Sequence, residues 1–216
     1  MSYSIKQVYQ RLHKHHGAQD WWPGDTPFEI MVGAILTQNT AWSNVEKAIT
    51  NLKASDCLDA AAIVALQHDE LAQMLRPSGY FNIKSKRLQA FCEWLLAQGG
   101  EQSVAEYETE AMRQALLQVY GVGPETADDI VLYAFHRPVF VIDAYTRRIF
   151  SRLGIISGDE SYEALRGLFE ATLKGKAALY NEYHALIVIH GKEVCRVKPQ
   201  CHVCALKDKC SYISKP

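Results

Sequence analysis

The sequence predicts an all-α protein. Apolar residues recur at helical spacing through most of its length, Pro, Gly and capping residues bound the segments so marked, and one run with strand propensity has nothing to pair with. Residues 4–16 read as a first helix. PFEIMVGAILTQ, 27–38, places Pro at a helix start and then runs apolar, as a buried helix does. Over 43–53, Val45, Ala48, Ile49 and Leu52 form one stripe. The pattern continues through 58–66, 70–75 and 85–98, where Gly99-Gly100 stops it. Segments 110–120 and 124–135 make a helix pair around Gly121-Val122-Gly123. PVFVI, 138–142, has β-propensity but stands alone, so an extended loop is expected there. Helices over 144–153, 162–173 and 176–189 complete the chain. No strong linker divides it, and the loosest boundary lies near Arg137-Pro138.

With 216 residues and 48% apolar content, the chain can bury one large core or two small ones. Its 23 Lys and Arg face 24 Asp and Glu, for a net charge of −1, so a nucleic-acid partner would need a local basic face. MSYSIKQVYQRLHKHH lacks the apolar run of a secretory signal. Nothing approaches the roughly 18–20 apolar residues of a membrane span. A soluble, cytoplasmic protein without a membrane partner is expected. Cys57 and Cys92 stand alone on apolar patterns and read as core residues. The histidines of HKHH, 13–16, read as a solvated helix face.

Three features carry chemistry. In VYGVGPETADDIV, Gly121 and Gly123 allow positive φ and close approach by another molecule. Pro124 suits the first position of the next helix, whose first N–H groups lack intrahelical partners and can donate to a phosphate. Val122 would point inward and tie the two helices together. The same residues would serve an ordinary helix corner. Asp143 opens DAYTRRIF; it is a preferred helix cap, and a carboxylate there could also stabilise positive charge or orient water. Cys195, Cys201, Cys204 and Cys210 follow as C-x5-C-x2-C-x5-C. Four thiolates so close can hold zinc or an iron–sulfur cluster, and spacing alone leaves that choice open. Arg196, Lys198, Lys207 and Lys209 interleave them and offset their charge.

The Gly-Val-Gly hairpin, the aspartate of VIDAYTRRIFSRLG and the four C-terminal cysteines, in that order, resemble the endonuclease III branch of the helix-hairpin-helix DNA glycosylases. The resemblance covers nearly the whole chain. GAILTQNT, 33–40, and GYFNIKSKRL, 79–88, are similar to that family's DNA-facing segments. It implies a two-domain all-α fold: a six-helix domain over 22–136 with the hairpin at about 110–135, and a second domain from 1–21 plus 137–216 with a cluster loop at 195–210. It implies a 4Fe–4S cluster on the four cysteines, although the first spacing is one residue shorter than the family's usual one. Glu125 occupies the place where bifunctional members carry the lysine that attacks the sugar as a Schiff-base nucleophile. The resemblance therefore implies a monofunctional glycosylase, with Lys84 and Lys86 the nearest substitutes for the missing amine.

Within the branch, the Glu variant with TQNT and WWP most resembles the type III 3-methyladenine DNA glycosylases, which excise alkylated purines. That implies a base pocket lined by Trp21, Trp22, Pro23 and Trp42, whose π-faces suit a cationic flipped base. It also implies catalysis by Asp143 with Glu125 beside it, Gln38 filling the gap in the duplex, Tyr80 wedging the opposite strand, and Gly121, Val122, Gly123 and Thr126 at the DNA backbone. The partner would be double-stranded DNA with a damaged base, bound by a monomer associated with the nucleoid. Because members of that type can lack the cluster, the retained cysteines leave two alternatives: an endonuclease III-like glycosylase for oxidised pyrimidines or mismatches with lyase activity, and a non-catalytic lesion binder.

Overall fold

The computed structural model describes residues 2–212, and all regular structure among them is helical. Met1 and residues 213–216, which fall in the ranges expected for the second domain, lie outside the described residues. Contacts divide the chain into two compact units, Pro23–Arg137 and Met1–Trp22 together with Pro138–Pro216. No helix among the described residues is long and apolar enough to cross a membrane.

Helix α1 (Ile5–His16) belongs to the unit built from the two chain ends. Ser4 accepts from the Gln7 N–H while the Gln7 side chain returns to the Ser4 N–H, a reciprocal cap. Ile5, Val8 and Leu12 form its buried stripe. The interior unit begins with α2 (Pro27–Leu36), capped by Thr26 and buried on almost every side, as its apolar run demands. Expected to reach residue 38, α2 stops at Leu36. The Thr37 hydroxyl donates to the Gly33 carbonyl, and Asn39 turns the chain at φ 58°.

Against α2 pack α3 (Trp42–Ala54) and α6 (Phe81–Ala97), with α4 (Ala60–Ala65) and α5 (His68–Leu75) packed on α6. Helix α6 starts four residues earlier than periodicity suggests, because Gly79 and Tyr80, both at positive φ, turn the chain into it. A short α7 (Glu101–Ala105), unmarked by any apolar stripe, precedes α8 (Thr109–Leu117) and α9 (Pro124–Asp129). After α9 the helix loosens into a wholly buried π-helical turn, Ile130–Ala134, for which the sequence carries no signal. Cys92 is fully buried, as expected; Cys57 instead sits half-buried in the turn after α3, its thiol donating to the Ser55 carbonyl.

Residues 139–142 are buried and irregular, with no partner strand among the described residues. Side chains replace one: the Phe140 N–H donates to Glu170 and the Ile142 N–H to the Tyr162 hydroxyl. Helices α10 (Ala144–Arg152), α11 (Tyr162–Leu173) and α12 (Ala177–Glu193) complete the terminal unit. Its core is aromatic. Phe140 stacks on Phe169 at 4.5 Å, and Phe150 meets Phe169 edge-on at 4.8 Å, pairs each worth about 1 kcal/mol beyond their burial. The Tyr183 hydroxyl donates to the Ile5 carbonyl at 2.6 Å and so ties α12 to α1.

Candidate functional site

The hairpin is a rigid part of the interior unit. Arg113 on α8 and Asp128 on α9 form a buried ion pair, Nε to Oδ1 at 2.6 Å, that clamps the two helices. Val122 is buried, and its N–H donates to the Val119 carbonyl. The two glycines differ in kind. Gly121 sits at φ 82°, and a Cβ there would stand 2.2 Å from Arg87 Cγ. Gly123 has an ordinary φ of −94°, and a Cβ there would meet nothing within 4 Å. The fold itself therefore requires Gly121 but not Gly123. Unlike α1, α2 and α10, α9 starts without a side-chain cap. Glu125 stands exposed in its first turn, whereas Thr126 is buried and accepts from Gln38 Nε2 at 2.9 Å. Gln38 also donates to the Gly121 carbonyl at 3.0 Å and accepts from Arg87. Gln38, Gly121 and Thr126 are thus brought together as one network.

Tyr80 projects from the same unit, 66% exposed, at φ 47° directly after Gly79 at φ 66°. A bulky residue held left-handed while its ring stands in solvent is a feature the packing does not need. Trp42 is half-buried, with its indole N–H donating to Glu46 at 2.8 Å, and Pro23 is exposed. In the terminal unit, Trp21 and Trp22 are half-buried and meet edge-on at 5.7 Å.

Asp143 caps α10, and Oδ1 accepts from both the Thr146 N–H at 2.6 Å and the Thr146 hydroxyl at 2.7 Å. Oδ2 faces His184 Nε2 at 3.6 Å. Burial raises the carboxyl pKa, but the His184 contact and the two Thr146 bonds outweigh it, and the net effect is to hold it below its ordinary value. Asp143 is therefore a buried carboxylate kept ionised, with one oxygen fixed and the other turned to a histidine.

Cys195, Cys201, Cys204 and Cys210 line one hollow with Arg152, Val194 and Tyr212. Burial and the neighbouring thiols push Cys204 up to about 11. Such thiols ionise together only beside positive charge, which a metal supplies. Donors already point at the sulfurs: the Leu206 N–H to Cys204 and Arg152 to Cys195, both at 3.4 Å. Among the described residues, no three His, Cys, Asp or Glu converge closely enough for one metal ion.

Residues 32–174 match the family model described as HhH-GPD superfamily base excision DNA repair protein. The chain belongs to the HhH-GPD superfamily. A Methanocaldococcus jannaschii protein named as a candidate DNA repair glycosylase is 44% identical over 209 residues, covering 95% of each chain. The Helicobacter pylori 3-methyladenine DNA glycosylase, solved with 1,N6-ethenoadenine, is 31% identical at a TM-score of 0.75, over 88% of this chain and 96% of that one. An endonuclease III solved in a non-covalent DNA complex shares the fold at a TM-score of 0.80 and 24% identity, over 95% of this chain and 93% of that one. The protein is thus a base excision repair DNA glycosylase, which sets aside the non-catalytic reading.

Three further residues support these elements; two of them, Lys84 and Arg87, lie in GYFNIKSKRL, where the sequence offers Lys84 only as a substitute amine. Arg87, nearly two turns into α6, packs its stem over Gly121, and the missing Cβ of that glycine is the hint to this contact. His184 lies six residues before His190 on a helix whose periodicity reads simply as core. Lys84 is buried, donating to the Leu36 carbonyl at 2.8 Å and the Ser78 carbonyl at 2.6 Å. Burial and then Arg87 lower its pKa to about 8. A lysine at an apolar helical position is the one signal that such a cation holds carbonyls.

Proposed function

We propose that this glycosylase is monofunctional and excises alkylated purines such as 3-methyladenine from double-stranded DNA, acting as a monomer. The carrying observation is Glu125, a carboxylate at the hairpin position where the bifunctional pattern has its lysine, and a carboxylate forms no imine. Lys84 does not replace it readily, since its amine is engaged with two carbonyls inside the interior unit. The similarity to a 3-methyladenine DNA glycosylase solved with an ethenoadenine supports the substrate class.

In this reading, the bond between sugar C1′ and the base nitrogen breaks with its electron pair leaving on the base. Asp143 stabilises the cationic sugar through Oδ2, while Thr146 keeps Oδ1 from turning. Water then adds at C1′ and passes one proton to the surrounding solvent, leaving an abasic sugar. An alkylated purine is already an activated leaving group, so little acid catalysis is required. Trp21, Trp22, Pro23 and Trp42 stack the flipped base, Gln38 fills the gap, and Tyr80 wedges the opposite strand. The uncapped start of α9 and the open space over Gly123 receive the DNA backbone, with Glu125 shaping the nearby water. Cys195, Cys201, Cys204 and Cys210 hold a 4Fe–4S cluster, which when bound cross-links residues 195–210. A protein of this kind works in the cytoplasm, at the nucleoid.

The test is strand scission on duplexes carrying 3-methyladenine, thymine glycol or a G·T mismatch, with and without hot alkali and with borohydride. Scission of the alkylated duplex only after alkali, with no trapped adduct, is expected. The cysteine loop favours the endonuclease III-like reading as the rival, and scission of thymine glycol without alkali plus a trapped adduct would establish that instead.

A further inference from the structure

His190 lies on α12, fully buried, with its two ring nitrogens in different company. Nε2 stands 3.5 Å from Cys204 Sγ. Nδ1 stands 3.0 Å from Nε2 of His16, the last residue of α1. The His15 ring meets the His16 ring edge-on at 4.5 Å, so the row runs from the cysteine loop to the exposed end of α1.

A neutral imidazole donates from one nitrogen and accepts at the other, and burial favours the neutral ring. A ligating cysteine is a thiolate, with no proton to give. If Cys204 is a ligand, Nε2 of His190 must be the donor, Nδ1 must accept, and His16 Nε2 must donate to it. If Cys204 is a thiol, its proton can go to Nε2, and the whole row reverses. One sulfur's state thus fixes the hydrogens of two histidines from different helices.

We infer that His190, oriented by His16, donates a hydrogen bond to the Cys204 ligand and raises the reduction potential of the cluster that this loop holds, a role that rests on the cluster reading above. Hydrogen bonds to ligand sulfur disperse the negative charge that reduction adds, so each donor favours the reduced cluster. The Leu206 N–H also donates to Cys204, so this sulfur has donors from two sides. His190 is a positioning residue; it touches no substrate.

The test uses the purified holoprotein. The reduction midpoint is measured by voltammetry for wild type, His190→Leu, His190→Gln and His16→Leu, together with iron content and visible absorption, and 15N shifts report the His190 tautomer. His190→Leu should lower the midpoint by about a tenfold change in the reduction equilibrium, 59 mV for one electron. His190→Gln, which keeps an N–H, should recover part of it, and His16→Leu should give a smaller drop. The wild-type His190 should carry its proton on Nε2. Should His190→Leu fail to fold, the tautomer and His16→Leu decide. An unchanged midpoint in fully loaded variants, or a proton on Nδ1 in the loaded wild type, overturns the inference. A wild type that binds no iron overturns the cluster reading itself, a result told apart by metal analysis alone.

Discussion

Replacing each hairpin glycine by alanine should separate folding from DNA binding. At Gly121 the chain sits at φ 82°, which costs alanine about 1–2 kcal/mol. The new Cβ would lie 2.2 Å from Arg87 Cγ and 2.5 Å from Cδ, mid-chain atoms that must move. Moving them breaks the Arg87 bond to Gln38, a charged hydrogen bond worth about 1.5–3 kcal/mol. The two terms give about 2.5–5 kcal/mol, a melting drop of roughly 10 °C for a chain of this size. Gly123→Ala has no such cost, since its φ is ordinary and nothing lies within 4 Å, so stability should hold within about 0.5 kcal/mol. Its methyl would stand on the open face of the hairpin, and affinity for an abasic-site duplex should fall at least about tenfold, near 1.4 kcal/mol. Thermal unfolding and fluorescence anisotropy read the two effects. A Gly121→Ala protein that melts like wild type would show that Arg87 yields freely. A Gly123→Ala protein that binds as tightly as wild type would remove the hairpin face from DNA recognition.

Asp143→Asn keeps a capping side chain but loses the charge, so excision should drop about 10²–10³-fold in single-turnover assays. Because the folded carboxyl lies below its ordinary value, its stabilisation is present above about pH 4 and fades as pH falls through the folded pKa; urea midpoints of wild type and Asp143→Asn should converge as the pH is taken further below about 4. Lys84→Met strips the donor from two buried carbonyls and should cost about 2–4 kcal/mol by urea unfolding, with excision per folded molecule unchanged; lost excision in a stable variant would make Lys84 a chemical participant. Asp128→Asn leaves Arg113 buried without its carboxylate and should cost about 3–5 kcal/mol on the same measure.

The helices were legible where an apolar pattern begins at a cap. Thr26-Pro27, Ser161 and Asp143 each open a helix within a residue of where periodicity places it. Boundaries slipped where backbone chemistry decided them, at Thr37, at Gly79-Tyr80 and at the π turn after Asp129, because such turns depend on tertiary contacts. For the site, sequence named the glycines, Gln38, Thr126, the aspartate and the cysteines, but not Arg87, His184 or His190 beside them. HKHH illustrates the reason. Its spacing suggests a solvated face, and His13 and His15 are exposed, yet His16 turns in to meet His190, 174 positions away. The arginines make the same point more broadly. Counted as charge, they suggest a surface for phosphate. In the fold, Arg113 holds Asp128, Arg137 the Ala105 carbonyl, Arg147 the Glu160 carbonyl, Arg148 the Gly191 and Cys195 carbonyls, and Arg152 the carbonyls of 196 and 197. Cations so engaged release few counterions from DNA. The slope of log Kobs against log salt should therefore be shallow, roughly −2 to −3. A slope near −6 would mean that these arginines let go of their carbonyls when DNA arrives, and that the fold is held together differently on the duplex than off it.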